Sequence, residues 1–298
     1  CYKPQILSSA SKTLSARSEF RLLLFKTTLL PFEKTHPFKD IHSSDIAPKR
    51  KEFIPDPLLE SGWKKFFINS RGKDICTLLL EAPSQPKGVV ILAHPYLAEA
   101  RNFFLGRGHA DMYRSLGYHV ITFDFNGFGE SPFHDFAYAS DLEAVADEAR
   151  RRYGNLLICG HGVSFGASHT ITYATRESNH FDCIIIENCL DSNLSYYKKR
   201  NRKLHYLVKA LMKIFPGSNS DHNYVRSISR LHNVNRVLLI YNSDDELTTP
   251  IMGRQLEEAC NKPVTFCLMK GKHLNALKDN QALYSKTISV FLSDGFTA

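Results

Sequence analysis

A chain of 298 residues, 43% hydrophobic and 23% charged, has the make-up of a globular protein long enough to bury a sizeable core. It contains no apolar run of the ~18 residues that a membrane-spanning helix needs, and the early apolar stretch 20–32 is interrupted by Arg21 and Lys26. The formal net charge is +8, but 196–215 alone holds seven basic residues (Lys198, Lys199, Arg200, Arg202, Lys203, Lys209 and Lys213) and no acidic one. The basic excess is therefore local, and with no nucleic-acid motif beside it no nucleic-acid partner is expected.

Seven cysteines include no CxxC pair and no Cys/His spacing suited to zinc. Cys159, Cys183 and Cys189 lie in or beside apolar runs and are expected as buried thiols, so no metal is implied. Cys1 leaves two readings open: the lipid-bearing first residue of a processed bacterial lipoprotein at the cell envelope, or the start of a trimmed chain. The other six cysteines, lacking a disulfide pattern, favour a reducing compartment such as the cytoplasm.

Residues 1–60 read as an N-terminal arm with one helix near 15–30 and a linker punctuated by Pro31, Pro37, Pro48, Pro55 and Pro57. From Trp63 the rhythm changes. A strand pair is predicted at 64–69 and 75–81, with a turn at Ser70-Arg71-Gly72. Short apolar strands follow at 88–93, 118–123, 156–159, 183–186, 237–241 and 264–269. Helices are predicted between them at 104–116, 141–153, 167–176, 252–260 and 280–292. Alternation of this kind predicts an α/β fold: a mostly parallel sheet of about eight strands with helices on both faces. The strands are apolar throughout rather than alternating, as expected when both faces are covered.

The interval 190–235 breaks the rhythm and reads as a helical cap insertion. Leu204, Leu207, Val208, Leu211, Met212 and Phe215 repeat at the spacing of one helical face, while Lys203, Lys209 and Lys213 fall elsewhere. Two readings of this cationic helix stand open. It contacts a membrane surface through 198–215, or it packs its apolar face over the site and leaves its lysines in solvent.

Gly162-Val163-Ser164-Phe165-Gly166 satisfies G-x-S-x-G, between a predicted strand and a predicted helix. A sharp strand-to-helix turn there exposes Ser164 and places a helix N-terminus behind it. Four further stretches accompany it: Ala93-His94-Pro95-Tyr96, Asp124-Phe125-Asn126-Gly127-Phe128-Gly129-Glu130-Ser131, Asp244-Asp245-Glu246-Leu247-Thr248-Thr249-Pro250 and Gly271-Lys272-His273.

Together these resemble the α/β-hydrolase superfamily over residues 63–298, most closely its esterase, lipase and thioesterase branches. The resemblance implies Ser164 as nucleophile, Asp245 as the acid and His273 as general base, in the chain order expected of that fold. Asp244 and Asp191 are rivals for the acid, and the D-E-x-T-x-P pattern favours Asp245. It also implies oxyanion-hole donors at the backbone N–H groups of Tyr96 and Phe165. Two positions depart from the family. Pro95 stands where a glycine is usual and has no N–H to give, and Asn126 replaces the customary arginine. His94 and His161 are expected to be structural, and Asp124 to anchor its loop.

The expected function is a serine hydrolase that cleaves a carboxylic ester or thioester, including an acyl-chain or lipid substrate, through an acyl-enzyme and without a cofactor. Ser164 in place of an aspartate argues against dehalogenase or epoxide hydrolase chemistry. The alternatives are a non-catalytic binding protein on the same scaffold, supported by the altered His94-Pro95 pair, and a peptidase or acyltransferase of the same fold.

Overall fold

The computed structural model describes residues 53–200, 202–214 and 222–293. The chain divides into two compact units, Pro48–Ser192 with Asn223–Ala298, and Cys1–Ala47 with Asn193–His222. The predicted helix at 15–30 lies outside the described residues.

The larger unit is built on one eight-stranded sheet in the order β1-β2-β4-β3-β5-β6-β7-β8. Its strands are β1 (Lys64–Ser70), β2 (Lys73–Leu80), β3 (Gly88–Ala93), β4 (His119–Phe123), β5 (Leu157–Val163), β6 (Cys183–Glu187), β7 (Arg236–Asn242) and β8 (Val264–Met269). β1 and β2 pair antiparallel, β2 meets β4 antiparallel, and β4-β3-β5-β6-β7-β8 are parallel. This is the mostly parallel α/β architecture expected from the strand and helix rhythm. The central strands are buried from end to end, which explains their unbroken apolar sequences.

Helices α1 (Asn102–Gly106), α2 (His109–Ser115), α3 (Tyr138–Tyr153), α4 (Phe165–Ala174), α7 (Tyr224–Ile228), α8 (Pro250–Ala259), α9 (Ala276–Asp279) and α10 (Gln281–Ser293) complete this unit. The single helix expected at 104–116 is two helices, because the backbone turns left-handed at Gly108, with φ 79°. β5 runs four residues beyond its predicted end, through Gly160-His161-Gly162-Val163. Periodicity conceals that extension, since two of the four residues have no side chain and a third is a histidine.

Residues 53–60, read from the sequence as linker, fall within the larger unit. Glu60 pairs there with the wholly buried Arg101 and with Lys65. Arg101 also pairs with Asp124 and Glu130, so one guanidinium ties this segment to the loops following β3 and β4.

In the smaller unit, α5 (Asn193–Arg200) and α6 (Arg202–Ile214) are described. In α6 Lys209 and Lys213 are exposed and Val208 is buried. The chain leaves the larger unit after Ser192 and re-enters at Asn223, and these two residues pair in an antiparallel bridge. The residues 223–235, read from the sequence as part of the insertion, belong to the larger unit. No helix among the described residues is long and apolar enough to cross a membrane.

Candidate active site

Parallel strands deliver their following loops to one edge of the sheet, and the five motif stretches meet at that edge. β5 ends at Val163, and Ser164 turns the chain into α4 with φ 52° and ψ −107°. A non-glycine residue at positive φ is strained and persists only where its surroundings impose it. Here the Ser164 N–H donates to the Glu187 carbonyl of β6 at 2.8 Å. The flanking glycines are required by close approach. A Cβ on Gly162 would lie 2.5 Å from the Gly166 carbonyl oxygen and 2.6 Å from the Ala167 Cα, and one on Gly166 would collide with the Ala93 carbonyl.

Adjacent β7 and β8 carry the next two residues. Their loops are stitched together by Ser243 N–H to the Met269 carbonyl at 2.8 Å, Asp244 N–H to the Gly271 carbonyl at 3.0 Å, and the Asn242 amide to the Lys272 carbonyl. That stitching turns Asp244 outward and buries Asp245. His273 Nδ1 lies 2.6 Å from Asp245 Oδ2, and His273 Nε2 lies 3.1 Å from Ser164 Oγ. The carboxylate holds the ring proton on Nδ1, which leaves the Nε2 lone pair facing the serine hydroxyl.

Asp245 is itself held on both oxygens. Oδ1 accepts from the Leu247 and Thr248 N–H groups at 2.8 and 2.9 Å; Oδ2 accepts from the Asn188 amide at 2.9 Å and from the Thr248 hydroxyl. Burial works to raise its pKa, yet the bonds from His273 and Thr248 outweigh burial and hold the carboxyl below the usual carboxylate range. Asn188 and Thr248 carry no role in the sequence reading. Thr248 lies inside the motif quoted there, but nothing in that pattern states which oxygen its hydroxyl meets. Asn188 follows a different strand, 57 residues from Asp245, and only the sheet order brings them together. Asp191 instead offers its backbone carbonyl to the Tyr224 and Val225 N–H groups at 2.9 and 3.2 Å.

On the opposite side of Ser164 lies the loop following β3. His94 is fully buried; its Nδ1–H donates to the Pro95 carbonyl at 2.7 Å and its Nε2 accepts the Phe125 N–H at 3.1 Å. Burial drives its pKa down to about 4, so the ring is a neutral tie between two loops. Pro95 provides no N–H but supplies that carbonyl, which also accepts the Leu97 N–H at 2.8 Å. Tyr96 follows, and its ring meets that of Phe165 edge-on at 5.4 Å. Phe165 occupies the first position of α4, where backbone N–H groups have no intrahelical acceptor. Asn126 is buried and donates through its N–H and its amide to Asp141 at 3.0 and 2.7 Å, and Arg71 also reaches Asp141.

Behind β5 and β6 sits a buried polar group that the strand patterns do not disclose. His161 Nδ1 pairs with the Tyr113 hydroxyl at 2.9 Å, its Nε2 lies 3.5 Å from Glu187, and Tyr284 donates to Glu187 at 2.7 Å. His109 packs edge-on against Phe104 and Tyr284, and neither of its ring nitrogens has a hydrogen-bond partner among the described residues. Burial lowers its pKa to about 3.

Above about pH 6.5 His109 is neutral in both folded and unfolded chains and contributes no slope. Below it the unfolded chain takes up a proton that the folded His109 refuses, so stability falls as pH falls. Between pH 7.5 and 5 this one residue costs about 2 kcal/mol. His94 acts in the same direction, while Asp124, pushed up to about 6 by burial against the opposing pull of Arg101, acts the other way below pH 6. His109→Phe keeps the ring contacts and removes the titration. Urea unfolding at pH 7.5 and 5 is expected to show wild type losing about 2 kcal/mol more than the variant; equal losses would refute the assignment.

The sheet order, the strand-to-helix turn at Ser164 and the loops at one edge define the α/β-hydrolase fold. The chain belongs to the family described as serine aminopeptidase, S33, whose pattern matches residues 84–262. That span includes Ser164 and Asp245 and ends before His273. It is a serine hydrolase by class. No curated protein matches the chain. Among solved structures it is similar to an esterase of Pyrococcus furiosus, at 17% identity and a TM-score of 0.64, over 87% of this chain and 99% of that one. It is also similar to a thioesterase domain from the curacin biosynthetic pathway, at 14% identity and TM-score 0.55, over 77% of this chain and 99% of that one. A proline iminopeptidase of Mycobacterium smegmatis matches at 13% identity and TM-score 0.56, over 78% and 98%. At such identities the likeness is one of fold.

Proposed function

We propose that this chain hydrolyses a carboxylic ester or thioester through an acyl-enzyme on Ser164. The observation that carries this reading is the continuous line from Ser164 Oγ to His273 Nε2, at 3.1 Å, and from His273 Nδ1 to Asp245, at 2.6 Å. His273 takes the hydroxyl proton as Oγ bonds to the carbonyl carbon, and Asp245 stabilises the imidazolium that forms. The carbonyl oxygen becomes an oxyanion, received by the N–H groups of Phe165 and Tyr96. On collapse the alcohol or thiol leaves with the proton held by His273. Water then attacks the acyl carbon, again giving its proton to His273, and the acid departs as Ser164 is regenerated. None of these steps uses a metal or an organic cofactor. Esterase and thioesterase neighbours support a small ester-type substrate.

The test is labelling by a fluorophosphonate together with turnover of p-nitrophenyl acetate. Labelling confined to Ser164, with measurable hydrolysis, is expected. A folded protein that neither labels nor turns over would instead be a binding protein on this scaffold. The family's description favours a second reading, cleavage of an amino-terminal residue by the same groups. Faster turnover of an amino-acyl p-nitroanilide than of any p-nitrophenyl ester would favour that reading over ours.

A further inference from the structure

Aromatic rings gather on one side of Ser164. Phe165, Tyr96, His169 and Phe136 are half-buried, above a base in which Phe128 and Tyr138 are buried. Phe165 is the hub: its ring lies 5.4 Å from Tyr96, 4.4 Å from His169, one helical turn on in α4, and 4.9 Å from Tyr138. Phe136 extends the layer from Tyr138 at 6.5 Å. Most of these pairs meet edge-to-face, at interplanar angles of 77°, 76° and 75° for the three contacts of Phe165. That is the arrangement aromatic quadrupoles favour.

The sheet order says which part of a substrate meets this layer. Ser164 stands at the end of β5. Asp245 and His273 arrive from β7 and β8 on one side; Tyr96, Phe128 and Phe136 arrive from the loops following β3 and β4 on the other, with Tyr138 at the start of α3. A leaving group must face His273 Nε2 to receive its proton, so it lies toward β7 and β8. The oxyanion faces the N–H groups of Tyr96 and Phe165. The acyl substituent is then directed toward β3 and β4, where the two donor residues themselves present rings.

From this placement we infer that the half-buried ring layer of Tyr96, Phe165, His169 and Phe136 is the acyl-binding surface and selects an aryl or arylalkyl acyl group over a straight alkyl chain of similar length. The inference rests on the acyl-enzyme reading proposed above. An alkyl chain would gain only from the area it buries, whereas an aryl group adds edge-to-face contacts with rings already arranged to make them. Such contacts beyond buried area amount to roughly two- to tenfold in binding.

The test holds the leaving group constant and varies only the acyl part. p-Nitrophenyl phenylacetate is expected to exceed p-nitrophenyl hexanoate in kcat/KM by about threefold or more. In Phe136→Leu and His169→Leu, which keep apolar bulk and lose a ring, that ratio should fall toward one. Where a variant fails to fold, inactivation of the wild-type protein by phenylmethanesulfonyl fluoride against hexanesulfonyl fluoride gives the same comparison. Hydrolysis with a ratio at or below one in wild type, or a ratio unchanged in both folded variants, overturns the aryl surface and leaves the hydrolase standing. Absence of labelling and of all ester turnover overturns the hydrolase reading, and this inference with it.

Discussion

Ser164→Ala is expected to abolish ester hydrolysis, lowering kcat by on the order of a millionfold, as removal of a triad serine does where the three groups act as a unit. The protein should remain folded, since the strained turn is held by the Ser164 N–H on the Glu187 carbonyl and by the close contacts of Gly162 and Gly166, none of which involves the hydroxyl. Among the described residues, only the bond from Oγ to His273 is lost. Fluorophosphonate labelling should vanish with activity while the thermal midpoint stays near that of wild type. Substantial turnover by a folded alanine variant would remove Ser164 from the mechanism and move the nucleophile elsewhere.

The second large effect concerns the acid. Asp245→Asn should lower kcat by on the order of thousands-fold, because an amide facing His273 Nδ1 admits the wrong tautomer and offers no charge to the imidazolium. The buried surroundings sharpen the effect, since Asn188, Thr248 and two backbone N–H groups are all donors aimed at a carboxylate. Placing an NH2 among them opposes donor to donor, so some loss of stability is expected as well. Asp244→Asn provides the contrast. Asp244 is exposed; its backbone N–H donates to the Gly271 carbonyl, which the substitution leaves in place, and its Oδ1 accepts the Ser243 hydroxyl at 3.1 Å, which an asparagine carbonyl can also do. Its kcat should stay within a few-fold of wild type. A reversal of the two effects, measured by steady-state hydrolysis, would assign the acid to Asp244.

Much of this protein is written locally in its sequence. The unbroken apolar run 88–93 marks β3 to the residue, because a strand buried on both faces has no room for a polar position. The Gly-Val-Ser-Phe-Gly turn can also be read directly, since glycines at those two positions reflect how closely a strand and a helix must approach. The D-E-x-T-x-P pattern favours Asp245 over its neighbour, and in the folded chain Asp245 Oδ2 lies 2.6 Å from His273 Nδ1. The break at Gly108 is a local left-handed turn, φ 79°, but the continuation of β5 through His161 and the inclusion of 53–60 with the sheet unit are tertiary outcomes. Each depends on contacts made by residues far away in the chain.

What holds the site is the least local of all. Ser164, Asp245 and His273 are 28 to 109 residues apart and meet because parallel strands present their loops at one edge. Asn188 reaches Asp245 only because β6 lies beside β7. Pro95 reads in isolation as a damaged motif, yet folded it offers the carbonyl that His94 grips. The ring layer beside Ser164 is scattered over 74 positions, from Tyr96 to His169, in three separate stretches of sequence. Hydrophobic patterning records whether a residue is buried, but not which residues share its neighbourhood. The identity of neighbours is set by the order of strands in the sheet, and that order is a property of the folded chain.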